Sequence, residues 1–415
     1  MARRTLDGWW DAPWARPEGT RFPSFEHVGA RPERVIAGQS EWLDLASGIW
    51  QATLGHGNTN VAAAISAAAA SPVFGRILGH GSAAGEALGR RLLRRWGEPS
   101  GYASWCVTGS QANDRALTLA RDLLMSEHGC ARFFAVQGAY HGEFGLARHV
   151  SSAPGMASVG DAVRIAAPAC GSCPVGRDPR TCSAECLDQG LEGAGETGVV
   201  LILEPVQLST GCLVPPAAWT DRIRELRSRL GRRMLLVADE VACGMGRVGA
   251  FFAGSPTLAP DFVVLGKALS GGAVPVAVVL IRDSIGARLA AAGISEAQFG
   301  STYDGYPVGI AATAANLSAW DSRAVARRAH MLELSLRRAL GRAVGRLPGL
   351  EWVTVAGAAA ALHFRDPEAC DRLALTARRR RVLIYTDGAL ALFLPALTCR
   401  PQEVEVRVDD VLGRC

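Results

Sequence analysis

The segments VVLILEPV (199–206), AWTDRIRELRSRLG (218–231) and MLLVADEV (234–241) decide the fold of this chain. The first and third are continuous apolar runs, as expected of strands that are buried on both faces. In the middle segment apolar residues recur at spacings of four, three and four, which places them on one face of a helix: Trp219, Ile223, Leu226 and Leu230. Gly231 is a natural end for that helix. This strand–helix–strand order predicts a mainly parallel sheet.

Further segments extend this pattern along the chain. FVVLG (262–266) and PVAVVLI (275–281) predict two more strands. A chain of 415 residues is long enough for a large α/β domain and a smaller domain. We expect residues 61–315 to form the large domain with a doubly wound sheet, and residues 316–415 to form a smaller α+β domain. Residues 1–60 are expected to be an irregular N-terminal arm or part of the smaller domain.

Composition and charge narrow the class of protein. Charged residues make up 20% of the chain and hydrophobic residues 49%, which excludes a disordered or fibrous protein. The formal net charge is only +5, and the arginine run 378–381 is typical of the solvated end of a helix, so we expect no nucleic-acid partner. The longest apolar runs have strand length, and the N-terminus lacks the apolar core of a secretory signal. We therefore expect no membrane partner and a cytoplasmic protein.

Charged residues follow three of the predicted strands. VVLIL is followed by Glu204, MLLVA by Asp239 and FVVLG by Lys267. Ligands of open α/β sheets bind beyond the carboxyl ends of the strands, so we expect these residues to meet at one edge of the sheet. Polar residues end strands in any protein, but an ionised group beside a buried strand is costly unless it is paired. The three residues together indicate a binding site.

Lys267 is the only lysine in the chain, and the other 43 of the 44 basic residues are arginine. Arginine replaces lysine wherever only a positive charge is needed, but its guanidinium stays protonated. A desolvated lysine amine can lose its proton and attack a carbonyl to form an imine. Lys267 is therefore the predicted catalytic residue, and the alternative is a chance survivor on a loop.

An imine-forming lysine suggests pyridoxal 5'-phosphate (PLP), which needs a carboxylate at its pyridine nitrogen, a side chain stacked on the ring and a phosphate cradle. Asp239 suits the first role. Gly109 and Ser110 begin a predicted helix whose N-terminus suits a phosphate, although Gly-Ser at such a position is more often only a cap. Tyr140 follows the apolar run RFFAV, and it either stacks on the ring or belongs to the core.

These pieces, taken together and in order, resemble the class III aminotransferases, a family of PLP enzymes of fold type I. The matching segments are GIWQATLGHGN, TGSQAND, YHG, EPVQ, ADEVACGMGRVGAFF, PDFVVLGKALSGG and STYDGYPVG. The resemblance implies the fold type I architecture and an aminotransferase that moves an amino group from a donor amine or amino acid to a ketone or aldehyde. It also implies a homodimer.

The resemblance assigns roles to individual residues. Lys267 holds the cofactor as a Schiff base and moves the substrate proton, Asp239 pairs with the pyridine nitrogen, and Tyr140 and Val241 pack on the two faces of the ring. Thr302 reaches into the phosphate site of the neighbouring subunit. The full set of implied cofactor-binding residues is Gly109, Ser110, Tyr140, Glu204, Gln207, Asp239, Val241 and Thr302.

Several positions depart from the family pattern. Ala242 stands where many members have a glutamine, which is more similar to the diaminopelargonate and ω-amine branches. Gln111 replaces the usual glutamate and Tyr306 the usual asparagine. Leu392 stands where acetylornithine-type members carry an arginine that clamps the substrate α-carboxylate. We therefore expect one substrate to lack an α-carboxylate at that subsite: a simple ketone or aldehyde, or the modified end of a peptide or other natural product.

A group of cysteines forms CGSCPVGRDPRTCSAEC (170–186). Four thiolates can close a structural zinc site or hold an iron–sulfur cluster, so the candidate metal ligands are Cys170, Cys173, Cys182 and Cys186. The two pairs are closer together than in the usual zinc ribbon, and plain loop cysteines are the alternative.

Two other functions are compatible with parts of the same sequence pattern. An aminomutase or decarboxylase would keep the cofactor and the fold but change the outcome of the reaction. A non-catalytic PLP-fold protein that binds a partner is the second alternative, and the presence of both Lys267 and Asp239 speaks against it.

Overall fold

The computed structural model contains three β-sheets and the helices around them. It describes residues 29–37, 40–70, 82–154, 156, 159–170, 182–187, 190, 194, 197–295, 300–320 and 322–415. The strands in this part of the chain are β1 (Gly29–Arg31), β2 (Arg34–Ala37), β3 (Ser40–Asp44), β4 (Tyr102–Cys106), β5 (Ala131–Val136), β6 (Val163–Ile165), β7 (Gly198–Leu203), β8 (Met234–Asp239), β9 (Phe262–Leu265), β10 (Ala277–Ile281), β11 (Leu350–Ala356), β12 (Ala359–Phe364), β13 (Val382–Leu383), β14 (Tyr385–Asp387) and β15 (Leu390–Phe393).

The helices cover and connect these sheets. In the described residues they are α1 (Ser47–Trp50), α2 (Thr59–Ala69), α3 (Ala83–Trp96), α4 (Gly109–His128), α5 (Gly145–Val150), α6 (Ala217–Leu230), α7 (Ser255–Leu258), α8 (Asp283–Ala291), α9 (Pro307–Ser318), α10 (Ser322–Ala343), α11 (Pro367–Arg379) and α12 (Pro401–Leu412). None of them is long and apolar enough to cross a membrane.

The central sheet has seven strands in the order β4-β10-β9-β8-β7-β5-β6. The pairs formed by β5, β6, β7, β8 and β9 are parallel. Only β10 runs against its neighbours β9 and β4. The predicted strand–helix–strand unit is confirmed as β7, α6 and β8, with β7 and β8 parallel and in register from Val199 opposite Met234. Gly231, with φ of +54°, ends α6 as expected.

Alternate residues of β7 face opposite sides of this sheet, and each side is covered by a helix. Val199, Leu201 and Leu203 pack in a cluster that contains the predicted apolar face of α6. Val200 and Ile202 pack in a second cluster that contains the buried face of α4. The sheet is therefore doubly wound, and its parallel strands deliver their carboxyl ends to one edge.

Two smaller sheets involve the ends of the chain. The antiparallel sheet β11-β12-β15-β14 belongs to the C-terminal part. The sheet β1-β2-β3-β13 joins both ends, because Leu43 of β3 pairs with Val382 of β13. The expected irregularity of the N-terminal residues is therefore wrong for the described strands β1 to β3. These strands are three to five residues long and one partner comes from the far end of the chain, so local periodicity gave no signal.

Candidate active site

A cavity of about 220 Å³ lies at the carboxyl ends of the parallel strands. It is smaller than the roughly 300–1,000 Å³ of pockets for drug-sized ligands, so it suits a small molecule. The described residues that line it are Trp50, Gly109, Ser110, Asn113, Tyr140, His141, Glu204, Ser209, Asp239, Val241, Ala242 and Lys267. The expectation that Glu204, Asp239 and Lys267 would meet at one edge of the sheet is confirmed.

Lys267 stands directly after the strand β9 and its following glycine, where the chain turns into a short 3-10 segment. Its backbone has φ of +39°, a strained value for a residue with a side chain. The Nζ atom lies 5.1 Å from the centre of the Trp50 ring. Burial lowers the pKa of Lys267, and the negative charges of Asp239 and Glu204 partly oppose that shift. A lowered pKa favours the neutral amine that nucleophilic attack on a carbonyl requires.

Asp239 ends β8 and is only 3% exposed. Its Oδ2 accepts hydrogen bonds from Asn113 Nδ2 at 2.7 Å and His141 Nδ1 at 2.8 Å, and its Oδ1 accepts from the backbone N–H of Val241 at 3.0 Å. Because a carboxylate only accepts hydrogen bonds, these three donors pair with both of its oxygens and fix its orientation. The arrangement presents a negative charge to the cavity.

The first turn of α4 forms another wall of the cavity. Thr108 caps this helix by accepting from the backbone N–H of Gln111. A side chain at Gly109 would place its Cβ 2.9 Å from Val241 Cγ1, so only glycine allows Val241 to pack this closely on the helix. Backbone N–H groups in the first turn of a helix have no partner within the helix. The dipole of this 20-residue helix also favours an anion at its N-terminus.

Glu204 holds the loop that follows β7. Its carboxylate accepts from the backbone N–H groups of Leu208 and Ser209, from the Ser209 hydroxyl, and from the backbone N–H of Tyr140. Burial raises the pKa of Glu204. The pKa of the Tyr140 hydroxyl is also raised, first by burial and then by the acceptor Glu143. Glu204 thus connects two walls of the cavity.

Two of the predicted cofactor residues lie outside the cavity in this chain. Gln207 is 1% exposed, and its amide donates to the carbonyl of Gln137 and to the Thr210 hydroxyl. It shapes the loop behind the cavity. Thr302 is exposed, so any contact with a phosphate would have to be made outside this chain's own cavity.

Some of the lining residues are not among those predicted from the sequence. Trp50, Asn113 and His141 line the cavity, although each lies inside a quoted motif: GIWQATLGHGN, TGSQAND and YHG. Ser209 also lines it. Their positions within motifs were the available signal. Asn113 and His141 reach Asp239 only because α4 and the segment after β5 lie beside the end of β8 in the folded chain, which spacing does not reveal.

The cysteine group gives no metal site in the described residues. No cluster of three or more His, Cys, Asp or Glu side chains in them is arranged to hold a metal ion. Cys170, Cys182 and Cys186 are described and are partly buried. Cys173 lies outside the described residues, so the four-cysteine site stays a prediction.

Comparison with known proteins identifies the family. A model of the class-III aminotransferases matches residues 36–411. The chain belongs to this family. The adenosylmethionine-8-amino-7-oxononanoate aminotransferase of Nitratidesulfovibrio vulgaris is 29% identical over 90% of this chain and 73% of its own length. The acetylornithine aminotransferase of Mycobacterium tuberculosis is 31% identical over 80% of this chain and 78% of its own length.

Solved structures agree with this family membership. An amine transaminase from an uncultivated Pseudomonas species, in its PLP-bound form, superposes with a TM-score of 0.85 at 26% identity, covering 94% of each chain. The predicted fold type I architecture is thereby confirmed. The predicted activity and cofactor are confirmed as well: the protein is a PLP-dependent class III aminotransferase.

The geometry of the cavity fits PLP in this class III aminotransferase. The fixed carboxylate of Asp239 suits a protonated pyridine nitrogen, and the amine of Lys267 suits the cofactor aldehyde. Val241, packed against Gly109, offers an apolar surface for one face of a ring, and the first turn of α4 offers N–H groups for a phosphate. The chemistry of the donor set therefore matches the group that the family uses.

Proposed function

We propose that this aminotransferase acts on at least one carbonyl substrate that lacks an α-carboxylate. The proposal rests on the position of Leu392. This residue is fully buried on β15, opposite Ala361 of β12 and Tyr385 of β14. It belongs to an apolar cluster that includes Trp50, a residue of the cavity wall. A position that holds a carboxylate-binding arginine in acetylornithine-type members is here part of a buried apolar cluster next to the cavity wall.

The charges of the cavity support the same substrate class. Among the described lining residues, Lys267 is the one lysine or arginine, and Asp239 and Glu204 are acidic. A substrate carboxylate placed beside them would lose its hydration without gaining a bidentate arginine. A ketone or aldehyde with an apolar substituent avoids this penalty and gains burial against Trp50 and its neighbours.

The roles of the chain's own groups follow from their positions. When bound, PLP supplies an aldehyde that reacts with amines and a ring that accepts electrons. Lys267, whose pKa is lowered by burial, would hold the cofactor and would be the group that moves a proton at the substrate carbon. Asp239 would pair with the ring nitrogen. Tyr140 and Val241 confine the ring, while Glu204 holds the loop beside Tyr140.

The phosphate site completes this assignment. Gly109 and Ser110 provide the cradle at the first turn of α4, and Gln207 supports the cavity from behind. Thr302 supplies a further contact to the partner subunit, because its side chain is exposed in the single chain. The enzyme accordingly works as a homodimer. We place it in the cytoplasm and in biosynthesis, where it aminates a small molecule or the carbonyl end of a peptide.

The domain division is part of the same proposal. Residues 61–315 carry the central sheet and every strand end that reaches the cavity. Residues 316–415 form the smaller domain. Of residues 1–60, the described strands β1 to β3 join the smaller domain, since β3 pairs with β13, and Trp50 lines the cavity.

Acceptor kinetics test the substrate class. We expect kcat/KM for an arylalkyl ketone or an aliphatic aldehyde to exceed that for 2-oxoglutarate by at least about tenfold, the usual discrimination of an apolar pocket. Leu392→Arg should shift this ratio toward 2-oxoglutarate, and the volume-matched Leu392→Met should leave it unchanged. The ratio is independent of the amount of folded enzyme. Activity with 2-oxoglutarate or N-acetylornithine and none with ketones would overturn the proposal.

A single-turnover measurement separates transamination from the alternatives with the same cofactor. Without an acceptor, a transaminase should release one equivalent of carbonyl product per active site and then stop. A decarboxylase would continue to release carbon dioxide, and an aminomutase would isomerise the donor without releasing a carbonyl product.

A further inference from the structure

A buried ion pair lies beside the cavity without lining it. Arg115 of α4 and Asp304, in the turn before α9, have side chains that are 3% and 1% exposed. Arg115 Nη2 donates a hydrogen bond to Asp304 Oδ2 at a distance of 2.5 Å. Removing two charges from water is expensive, and an apolar pair of similar volume often gives equal stability. The pair therefore calls for a role other than simple stabilisation.

The arginine end of the pair is fixed to the central sheet. Arg115 Nη1 donates to the hydroxyl of Ser104 and to the carbonyl of Trp105, both at 2.8 Å and both in β4. Three hydrogen bonds from one planar guanidinium leave it little freedom. Arg115 thus provides a rigid point of attachment between β4 and α4.

The aspartate end of the pair fixes the turn of residues 301–305. Asp304 Oδ2 also accepts from the backbone N–H of Ser301 at 2.8 Å. Its Oδ1 accepts from Gln111 Nε2 at 3.3 Å, and Gln111 Oε1 accepts from the backbone N–H of Val107 at 2.9 Å. Gln111 directly follows the predicted phosphate cradle Gly109–Ser110. The turn is therefore fastened to the first turns of α4.

This turn carries Thr302 at its outer side. Thr302 is exposed, and the neighbouring Tyr303 is 58% exposed, whereas Asp304 points inward. The buried pair thus sets the position of a side chain that is exposed and does not line this chain's own cavity.

We propose that Arg115, Asp304 and Gln111 are positioning residues that hold Thr302 in place for the phosphate site of the partner subunit. The inference rests on the proposed homodimer and on the proposed contact of Thr302. In each subunit, the phosphate cradle and the turn that carries Thr302 toward the partner are then both attached to α4. The two sites of the dimer are then mechanically connected through this ion pair.

The double variant Arg115→Met/Asp304→Asn tests this role, because it removes both charges and leaves neither one unpaired. We expect PLP to bind about 10- to 100-fold more weakly in an absorbance titration, the effect of losing one hydrogen bond to a charged group. The urea midpoint of the cofactor-free dimer should stay close to that of the unmodified protein. A lower midpoint with unchanged PLP affinity would show a merely structural pair and overturn the proposal.

Gln111→Met provides a second variant that keeps the ion pair and removes only the bond between the first turn of α4 and Asp304. We expect a smaller loss of PLP affinity in the same direction. An unchanged affinity in this folded variant would count against the proposal even if the double variant failed to fold.

Heterodimers carrying two different affinity tags show where the effect acts. One subunit contains Lys267→Ala, so PLP forms its imine only in the other subunit. The loss of affinity should be larger when the double variant is in the Lys267→Ala subunit, whose Thr302 serves the intact site. A loss that appears only when the variant shares a chain with the intact Lys267 would overturn the proposal.

The variant Thr302→Ala tests the proposed cross-subunit contact independently of the positioning role of the ion pair. Its PLP affinity should fall to a similar degree as that of the double variant. If Thr302→Ala bound PLP normally, or if the native mass were that of a monomer, the proposed cross-subunit contact itself would fail. If Thr302→Ala weakened binding and the double variant did not, only the positioning role would fail.

Discussion

Two regions of the described structure contain buried or half-buried basic side chains whose pKa is lowered by burial, and the neighbours of these side chains differ. In the cavity, Lys267 faces the carboxylates of Asp239 and Glu204. The second region, which we call the junction, is where residues 45–55 and 205–213 meet the sheet β11-β12-β15-β14, and it contains Arg247 and His363. Burial is the first cause of a lowered pKa in all three: Lys267, Arg247 to about 10 and His363 to about 4.

Hydroxyl and carbonyl oxygens surround the basic groups of the junction. Arg247 donates to Ser47 Oγ, Thr53 Oγ1 and the carbonyls of Ala358 and Pro395. His363 Nε2 donates to the carbonyl of Gly211 at 3.1 Å. These bonds join segments far apart in the chain and hold the segment that carries Trp50.

The difference shows what each region needs from a base. A guanidinium whose pKa is about 10 remains charged at neutral pH and can donate to four oxygens at once, which suits a structural junction. The cavity needs an amine that can become neutral and form a bond. Carboxylates beside Lys267 limit the fall of its pKa, so that it can both accept and release a proton.

The largest predicted effect follows from placing arginine, the basic residue of the junction, at position 267 in the cavity. Lys267→Arg keeps the charge but cannot form an imine, so kcat for transamination should fall by at least about 10³-fold, as when a nucleophile is removed. Lys267→Ala should lose as much. Borohydride reduction followed by mass spectrometry should find the cofactor attached to the unmodified chain and to neither variant. Substantial activity in Lys267→Arg would contradict the comparison.

A smaller effect, on stability rather than chemistry, is expected in the junction. Arg247→Met leaves four buried oxygens without their donor, which should lower the free energy of unfolding by about 3–5 kcal/mol. Arg247→Lys keeps the charge with fewer donors and should lose less. Urea unfolding of the cofactor-free protein measures both. If Arg247→Met were as stable as the unmodified protein, the junction would not depend on these hydrogen bonds.

The smallest effect is a pH dependence from His363. Its pKa is about 4 in the folded protein and about 6.5 in the unfolded chain. Between these values the unfolded chain binds a proton that the folded chain does not, so stability falls as the pH drops from 6.5 to 4, by at most about 3 kcal/mol.

His363→Phe keeps a ring to stack on Trp352, whose centre lies 3.5 Å away, but cannot titrate. The difference in urea midpoint between this variant and the unmodified protein should therefore change with pH over this window. The exposed His330 provides the control, and His330→Gln should reproduce the original pH dependence. A His363→Phe protein with the original dependence would show that His363 does not cause it.

Much of the fold and of the catalytic edge could be predicted because the signals are local. Continuous apolar runs and a helix with Trp219 and Ile223 on one face specify buried strands and their connection. The residues that end such strands must then share an edge, which brought Glu204, Asp239 and Lys267 together. The imine-forming lysine suggested the cofactor, and the family resemblance agreed with it. The three N-terminal strands were missed because β3 completes its sheet with β13, more than 300 residues away.

The sequence by itself determined which charged residue follows each strand and identified Lys267 as the lysine that can form an imine. The role of Lys267 can be inferred without coordinates, because no other side chain of this chain can form the required imine. Only the tertiary structure decided which distant residues surround it. His141 and Asn113 fix Asp239, Arg247 holds the segment of Trp50, and Arg115 meets Asp304 across 189 positions. Such contacts depend on how helices and loops pack, and packing at long range leaves no periodic trace in the sequence.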